Sequence, residues 1–234
     1  MRQSRLAVIK AASGAALAIP TFSGSHAIFG DAKQGYIECY SSGTVSFPEA
    51  LTVDIFVING GKNGLKGSYD QGYSGAGGNG GAYTTVKSLA VQGDYTVSVA
   101  SAQGSSSVSG LVSSPKTPYS AGANSSSTPN EANRGKAGTN PFGDSTFVKV
   151  GGSGGGGLLV TTSRPFDTPG GVAIDGGGNG GGYNAATYKP TDGEAGAANT
   201  GGGGGGGGVY ANSAQANYGK GGSGLVIIRW GYAA

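Results

Sequence analysis

The chain is poor in the residues that most protein chemistry uses. Among 234 residues there is one cysteine, one histidine and one tryptophan, and only 12% carry charge. A lone cysteine excludes an intrachain disulfide, and Cys39 with His26 cannot assemble a metal site of the usual His/Cys type. Cys39 alternates with Ile37 in a strand-like stretch and reads as a small core residue. A serine-histidine-acid triad would have to use His26, which lies in the N-terminal segment, apart from the body. Basic charge is also scarce. The net charge of +3 is carried by Arg2, Arg5 and Lys10, which leaves 12 basic and 12 acidic residues over positions 11 to 234. Lys62, Lys66, Lys87, Arg134, Lys149 and Arg164 are dispersed, so there is no basic face, and no nucleic acid is expected as a partner. Helical patterning is missing after residue 30.

Glycine is what the chain has in excess: 51 residues, with an unbroken run from Gly201 to Gly208 and further tracts at 75–81, 151–157, 176–182 and 219–224. Low-complexity disorder is the first reading of such a composition. A hydrophobic fraction of 36% with so little charge argues against it, because disordered chains combine low hydrophobicity with high net charge. Glycine without a Cβ adopts the threefold extended conformation, rising about 3.1 Å per residue, so eight glycines span roughly 25 Å. Ordering a residue costs about 1 to 2 kcal/mol, and a hydrogen bond returns a net of about 0.5 to 1.5 kcal/mol. A solitary rod therefore melts, and rods must bundle, with aromatic residues such as Trp230 and several tyrosines expected to cap the bundle's edge. Uneven spacing argues against a solenoid, and the chain-wide Gly-X-Y phase of collagen is absent.

Between the tracts lie strands. Gly43 to Pro48 and Leu51 to Ile58 read as two strands, the second apolar on both faces and so covered on both sides. Ala82 to Val91 and Tyr95 to Ala100 read as a hairpin turning at Gln92-Gly-Asp94. Residues 101–141 read as a long surface excursion, Ser145 to Val150 and Leu158 to Thr162 as strands around a glycine tract, and Leu225 to Trp230 as a closing strand. The expected fold class is all-β: a small antiparallel β-sheet or sandwich packed against a bundle of polyglycine-II rods, with long irregular loops and little helix. Two units are expected, an N-terminal segment 1–34 and a glycine-rich domain 35–234. The N-terminus has a signal-peptide outline, with a basic start, an apolar stretch from Ala11 to Phe22 and a small-residue triplet. The preferred reading is a docking or oligomerisation segment in which Arg2, Arg5, Leu6 and Ile9 make contact.

No catalytic constellation is visible. Gly75-Ala-Gly-Gly-Asn-Gly80 satisfies a dinucleotide pattern, but no helix follows to receive a pyrophosphate, and no cofactor is expected. Asp167, Asp175, Asp192 and Glu194 lie in loop-like sequence without the apolar surroundings that tune a glycosidase carboxyl pair. What remains are aromatic residues in loops, which either plug the bundle or contact a partner, since tyrosine offers large contact area at low entropic cost. Tyr69, Tyr73, Tyr119, Phe166 and Tyr188 lie farthest from the strands and tracts and are the candidate contact residues.

The order Ser42-Gly-Thr-Val-Ser-Phe-Pro48, Thr52-Val-Asp-Ile-Phe-Val-Ile-Asn-Gly-Gly61, Gly77-Gly-Asn-Gly-Gly-Ala-Tyr83, Asp94-Tyr-Thr-Val-Ser-Val99, Phe142-Gly-Asp-Ser-Thr-Phe147 with Gly151-Gly-Ser-Gly-Gly155, and Gly221-Gly-Ser-Gly-Leu-Val-Ile-Ile-Arg-Trp230 resembles the glycine-rich domain of bacteriophage tail-fibre and related virion proteins, over about residues 35 to 232. The resemblance implies a non-enzymatic tail-fibre or tail-associated component of the virion, similar in construction to adhesins whose polyglycine rods carry receptor-binding loops. Its expected partners are other virion proteins through the N-terminus, a host surface glycan or outer-membrane protein, and further copies of itself in a homo-oligomer. A purely structural adaptor, head fibre or decoration protein is the alternative.

Overall fold

The computed structural model describes residues 18–68, 70, 73–116, 122–123, 134–161, 166–210 and 214–232. Strands follow in chain order: β1 (Thr21–Phe22), β2 (His26–Gly30), β3 (Gly35–Cys39), β4 (Gly43–Ile58), β5 (Tyr83–Ser98), β6 (Ser107–Val108), β7 (Leu159–Val160), β8 (Tyr183–Asn184), β9 (Lys189–Pro190), β10 (Val209–Tyr210), β11 (Ala214–Gln215) and β12 (Leu225–Trp230). No helix occurs among the described residues. The main sheet has seven strands in the order β2-β3-β12-β4-β5-β6, with β1 also paired to β4. Thr21–Phe22 and His26–Gly30, within the segment 1–34 that the sequence reading set apart, are thus hydrogen bonded into the sheet of the body.

The hairpin expected at residues 92–94 is absent. β4 and β5 are each 16 residues long and pair antiparallel along their lengths, with register shifts between Phe47 and Leu51 and between Val53 and Ile55. Phe47 pairs with Gly93 and Leu51 with Val91, so Pro48, Glu49 and Ala50 bulge opposite Gln92. The positive φ of Gly93 (88°) serves this bulge rather than a reversal of the chain. Residues on either side of the bulge, Val45 and Phe47 before it and Val53 and Ile55 after it, share one core with Ile37, Ile228 and Trp230. On the opposite face Phe56, Ile58, Leu225 and Ile227 pack against Phe142, Phe147 and Val150. Both faces of β4 near Ile58 are covered, as alternation of large apolar residues on both sides requires. The 101–141 stretch contributes more than surface: Val108, Val112 and Ala123 are buried. Ser145 to Val150 forms no strand, and only Val150 makes a bridge, to Thr139.

Arg229 and Asp54 are charged residues buried in this layer. The Arg229 guanidinium lies 2.9 Å from Asp54, bonds Asp144, and stacks 4.0 Å from the Phe142 ring centroid. The carboxyl of Asp144 is pulled upward by burial, but the Thr146 amide and Arg229 outweigh this and hold it below the ordinary range.

Among the described residues, seven extended rods form a bundle beside the sheet: rod 1 (59–67), rod 2 (74–81), rod 3 (151–158), rod 4 (176–182), rod 5 (191–197), rod 6 (201–208) and rod 7 (216–224). Rod 1 continues β4, rod 2 leads into β5, and rod 7 leads into β12, so the three adjacent central strands of the sheet extend directly into three adjacent rods. Rod 6 is the axis. Its N–H groups donate in rotation: Gly203 to Gly152, Gly204 to Lys62, Gly205 to Glu194, then Gly206 to Gly155, Gly207 to Leu65 and Gly208 to Thr191. Its carbonyls accept in a second rotation, from Gly222, Gly178, Gly78, Gly219, Gly181 and Gly75 for Gly202 to Gly207. A repeat of three in bonding direction is the signature of the threefold extended rod. Rod 6 therefore touches all six others, parallel to rods 1, 3 and 4 and antiparallel to rods 2, 5 and 7.

The six outer rods also bond one another around a ring in the order 1-2-3-4-5-7, closed by Gly61 and Gly64 of rod 1 donating to Gly222 and Gly219 of rod 7. Close packing of backbones leaves no room for Cβ atoms. A methyl built on any glycine from Gly202 to Gly208 falls closer than 3.0 Å to a neighbouring backbone atom, that of rod 4, rod 2 or rod 7 in turn.

Candidate functional site

The rods have two unlike ends. One end is the sheet; the other gathers the described parts of the connections, residues 68, 70, 73, 159–161, 166–170, 183–190, 209–210 and 214–215. At this distal end Leu158, Val160 and Tyr183 form a small core, with Tyr210 against Tyr183 at 5.1 Å between ring centroids. Two small sheets, β7-β10-β11 and β8-β9, tie the connections together. Tyr183 and Tyr210 thus act as the expected aromatic plug. Trp230 does not cap a rod, because it is buried in the main sheet over Gly35, with its indole N–H donated to Asp31 O at 2.8 Å.

Three of the five candidate contact residues are brought to this end. Tyr73 bridges Ser68 where rod 1 returns as rod 2 and is 45% exposed; Phe166, which follows β7, is 62% exposed. Tyr188, in the tight turn between β8 and β9, is 60% exposed and has φ of 54°. A tyrosine in left-handed backbone costs about 1 to 2 kcal/mol, so its projection from the tip is imposed by the turn that holds it. Tyr69 and Tyr119 lie outside the described residues, as do Arg2, Arg5, Leu6 and Ile9 of the proposed docking segment.

Beside the tip runs a groove of about 360 Å³, lined among others by Asp167, Asn179, Thr191, Asp192 and Glu194. Three of the four carboxylates named above as candidates for a glycosidase pair therefore share one groove. Each holds a main-chain or amide N–H: Asp167 accepts from Ala185 N–H at 2.7 Å, Asp192 from Asn217 N–H at 2.7 Å, and Glu194 from the Asn179 side chain at 2.8 Å. Asp175 accepts from Gly138 N–H at 2.8 Å. These acids close the rim of the bundle. Asn63 does the same for Gly221 N–H, Asn79 for Gly122 N–H, Asn179 for Ala173 N–H and Ser153 for Lys136 N–H. No group of three or more His, Cys, Asp or Glu suited to a metal ion occurs among the described residues.

Capping by short polar side chains was not anticipated from sequence, although the signal was there. Asn63, Asn79, Ser153 and Asn179 each interrupt or adjoin a glycine tract at an outward position, and such residues hydrogen bond local backbone readily. Cys39 is buried, and that burial, followed by the charge of Glu38, pushes its thiol up to about 12. What the distal end offers chemically is exposed aromatic faces on a backbone held by many rods, with amides and carboxylates already engaged.

A family model described as a glycine-rich domain matches residues 40–231. No match is found among curated proteins.

Proposed function

The chain belongs to the glycine-rich domain family, and we propose that it is a non-enzymatic bacteriophage virion protein, a tail-fibre or tail-associated component whose rod bundle presents distal loops to the host cell. The observation that carries the reading is the gathering of Tyr73, Phe166 and Tyr188, all exposed, at the end of the rods away from the sheet. Stiffness there comes from backbone packing in the rods, so the tip loops vary without touching the support. Exposed aromatics on a rigid frame suit a sugar ring or the surface of an outer-membrane protein. The rim acids, each engaged in capping, favour display over hydrolysis.

Labelled protein applied to host cells tests this directly. Replacing Tyr73, Phe166 and Tyr188 together by alanine is expected to lower binding about 10- to 100-fold with an unchanged melting temperature. Unchanged binding would remove the recognition reading. Imaging of intact particles separates the alternative: a distal end buried among other virion proteins favours a structural adaptor or decoration role.

A further inference from the structure

Much of the described rim of the rod bundle is closed. On the rods, outward positions carry side chains such as Lys62, Leu65, Glu194 and Ala195, whose Cβ atoms keep another backbone from nesting, and capping groups occupy N–H donors. At one side of the main sheet the last strand, β6, is only two residues long. The other side ends on β2, which among the described residues has none of these protections.

The ladder between β2 and β3 determines which groups it leaves open. Tyr40 N–H donates to Ser25 O at 2.8 Å, and Asp31 N–H to Gln34 O at 2.9 Å. Antiparallel bonding alternates, so Ala27 and Phe29 bond toward β3, while the N–H and C=O of His26 and Ile28 point to the free edge. His26–Gly30 reads HAIFG, without charge or proline, and Ile28 and Phe29 are 38% and 39% exposed. Natural edge strands are guarded by lysine, proline or bulges. This one is unguarded.

We propose that β2 is a dimerisation edge, which pairs antiparallel with β2 of a second copy about a twofold axis at Ile28. The occupant follows from self-complementarity. In that register Ile28 exchanges both main-chain bonds with the partner's Ile28, and Phe29 lies opposite the partner's Ala27, the largest side chain of the strand against the smallest non-glycine one. No charge opposes a like charge, and an isologous contact closes on itself without forming a filament. Five residues a side make an interface below the standard size, so the dimer forms reversibly with concentration.

Cysteine pairs test it in the full chain. Ala27 and the partner's Phe29 occupy a non-hydrogen-bonded pair, about 4.5 Å between Cα atoms, within disulfide range. Mixing Ala27→Cys chains with Phe29→Cys chains under mild oxidation is expected to give linked heterodimer at least about tenfold above either chain alone, with the buried Cys39 silent. Sedimentation of the unmodified chain should approach twice 22.6 kDa as concentration rises, and Ile28→Lys should return it to the monomer with an unchanged circular dichroism spectrum. If Ile28→Lys misfolds, the cysteine mixture still decides. Linking no greater in the mixture than in single variants overturns the proposal, as does a dimer indifferent to Ile28→Lys. Dimerisation that appears only after removal of residues 1–17 also overturns it, because the chain's own N-terminus would then hold the edge.

Discussion

The sheet and the rod bundle are solid for opposite reasons. In the sheet, Ile55, Ile228, Val57 and Trp230 fill space with side chains, and each is at most 1% exposed. In the bundle, Gly201 to Gly208 are also buried, yet nothing fills the gaps because none exist: neighbouring backbones occupy the volume where side chains would be. One region is destabilised when atoms are removed and the other when atoms are added. The junction works because β4, β5 and β12 pass from one regime into the other as rods 1, 2 and 7, carrying their neighbour relations with them. Buried polar groups are treated differently too. The sheet pairs Arg229 with Asp54 and Asp144, whereas the bundle satisfies main-chain groups with one another and, at its rim, with Asn, Asp and Ser.

The sharpest way to break this comparison is to add a single methyl. Gly204→Ala is expected to prevent folding or to cost more than about 4 to 5 kcal/mol, because the methyl would sit on Gly219 O. Ala195→Val, a larger addition at an exposed outward position of rod 5, is expected within about 0.5 kcal/mol of wild type; similar melting of the two variants would show that the rods are not packed by their backbones. Next in size, Arg229→Met strands the buried Asp54 carboxylate, at about 3 to 5 kcal/mol in chemical denaturation, and loses less if Asp54→Asn accompanies it. Asn63→Ala uncaps Gly221 N–H and should cost about 1 kcal/mol, a rim effect well below the central one.

The smallest effect is one of pH. Asp144 has a folded pKa below its unfolded one, so its contribution to stability is present above the unfolded value and is lost as pH falls through the folded value. Melting temperature should therefore fall on acidification more in the wild type than in Asp144→Asn. Cys39 supplies a companion probe. With its thiol pushed up to about 12 by burial, it should react with a thiol reagent at neutral pH only at the rate of unfolding, and fast labelling of folded protein would contradict the packing of β3 against β12.

Several elements were legible in the residues. Leu225 to Trp230 and Leu51 to Ile58 are apolar on both faces and became β12 and the buried half of β4. Glycine tracts implied bundled rods, and bundled rods are found. The supposed hairpin at Gly93 was not legible, because a positive φ serves a bulge as well as a turn, and only the pairing of Phe47 and Leu51 across the sheet distinguishes them. The distal gathering of Tyr73, Phe166 and Tyr188 was also hidden. They are scattered along the sequence, and rod direction decides which loops share an end.

Glycine spacing carries information of its own. Rods 1 and 5 aim every third position at the axis, so they need glycine only there, as in Gly61-Lys-Asn-Gly64 and Gly193-Glu-Ala-Gly196. Rods 2 and 7 aim two of three positions at ring neighbours, which gives Gly75-Ala-Gly-Gly78-Asn and Gly219-Lys-Gly-Gly222-Ser. Rod 6 is covered in every direction and is all glycine. Rod 3 shows the same logic with an added outer layer: its Gly155 meets Gly171, beyond the ring.

By itself, then, the order of residues determined how many sides of each extended segment another backbone can approach, since a Cβ excludes a neighbour wherever it points. It also determined which short strands bury both faces, through the run of branched and aromatic side chains in β4 and β12. Tertiary structure alone decided which segment became the axis, which rods run parallel, and which loops meet at the far end. Those choices rest on contacts between segments far apart in the chain, where glycine is interchangeable with glycine and only the sheet at one end sets direction.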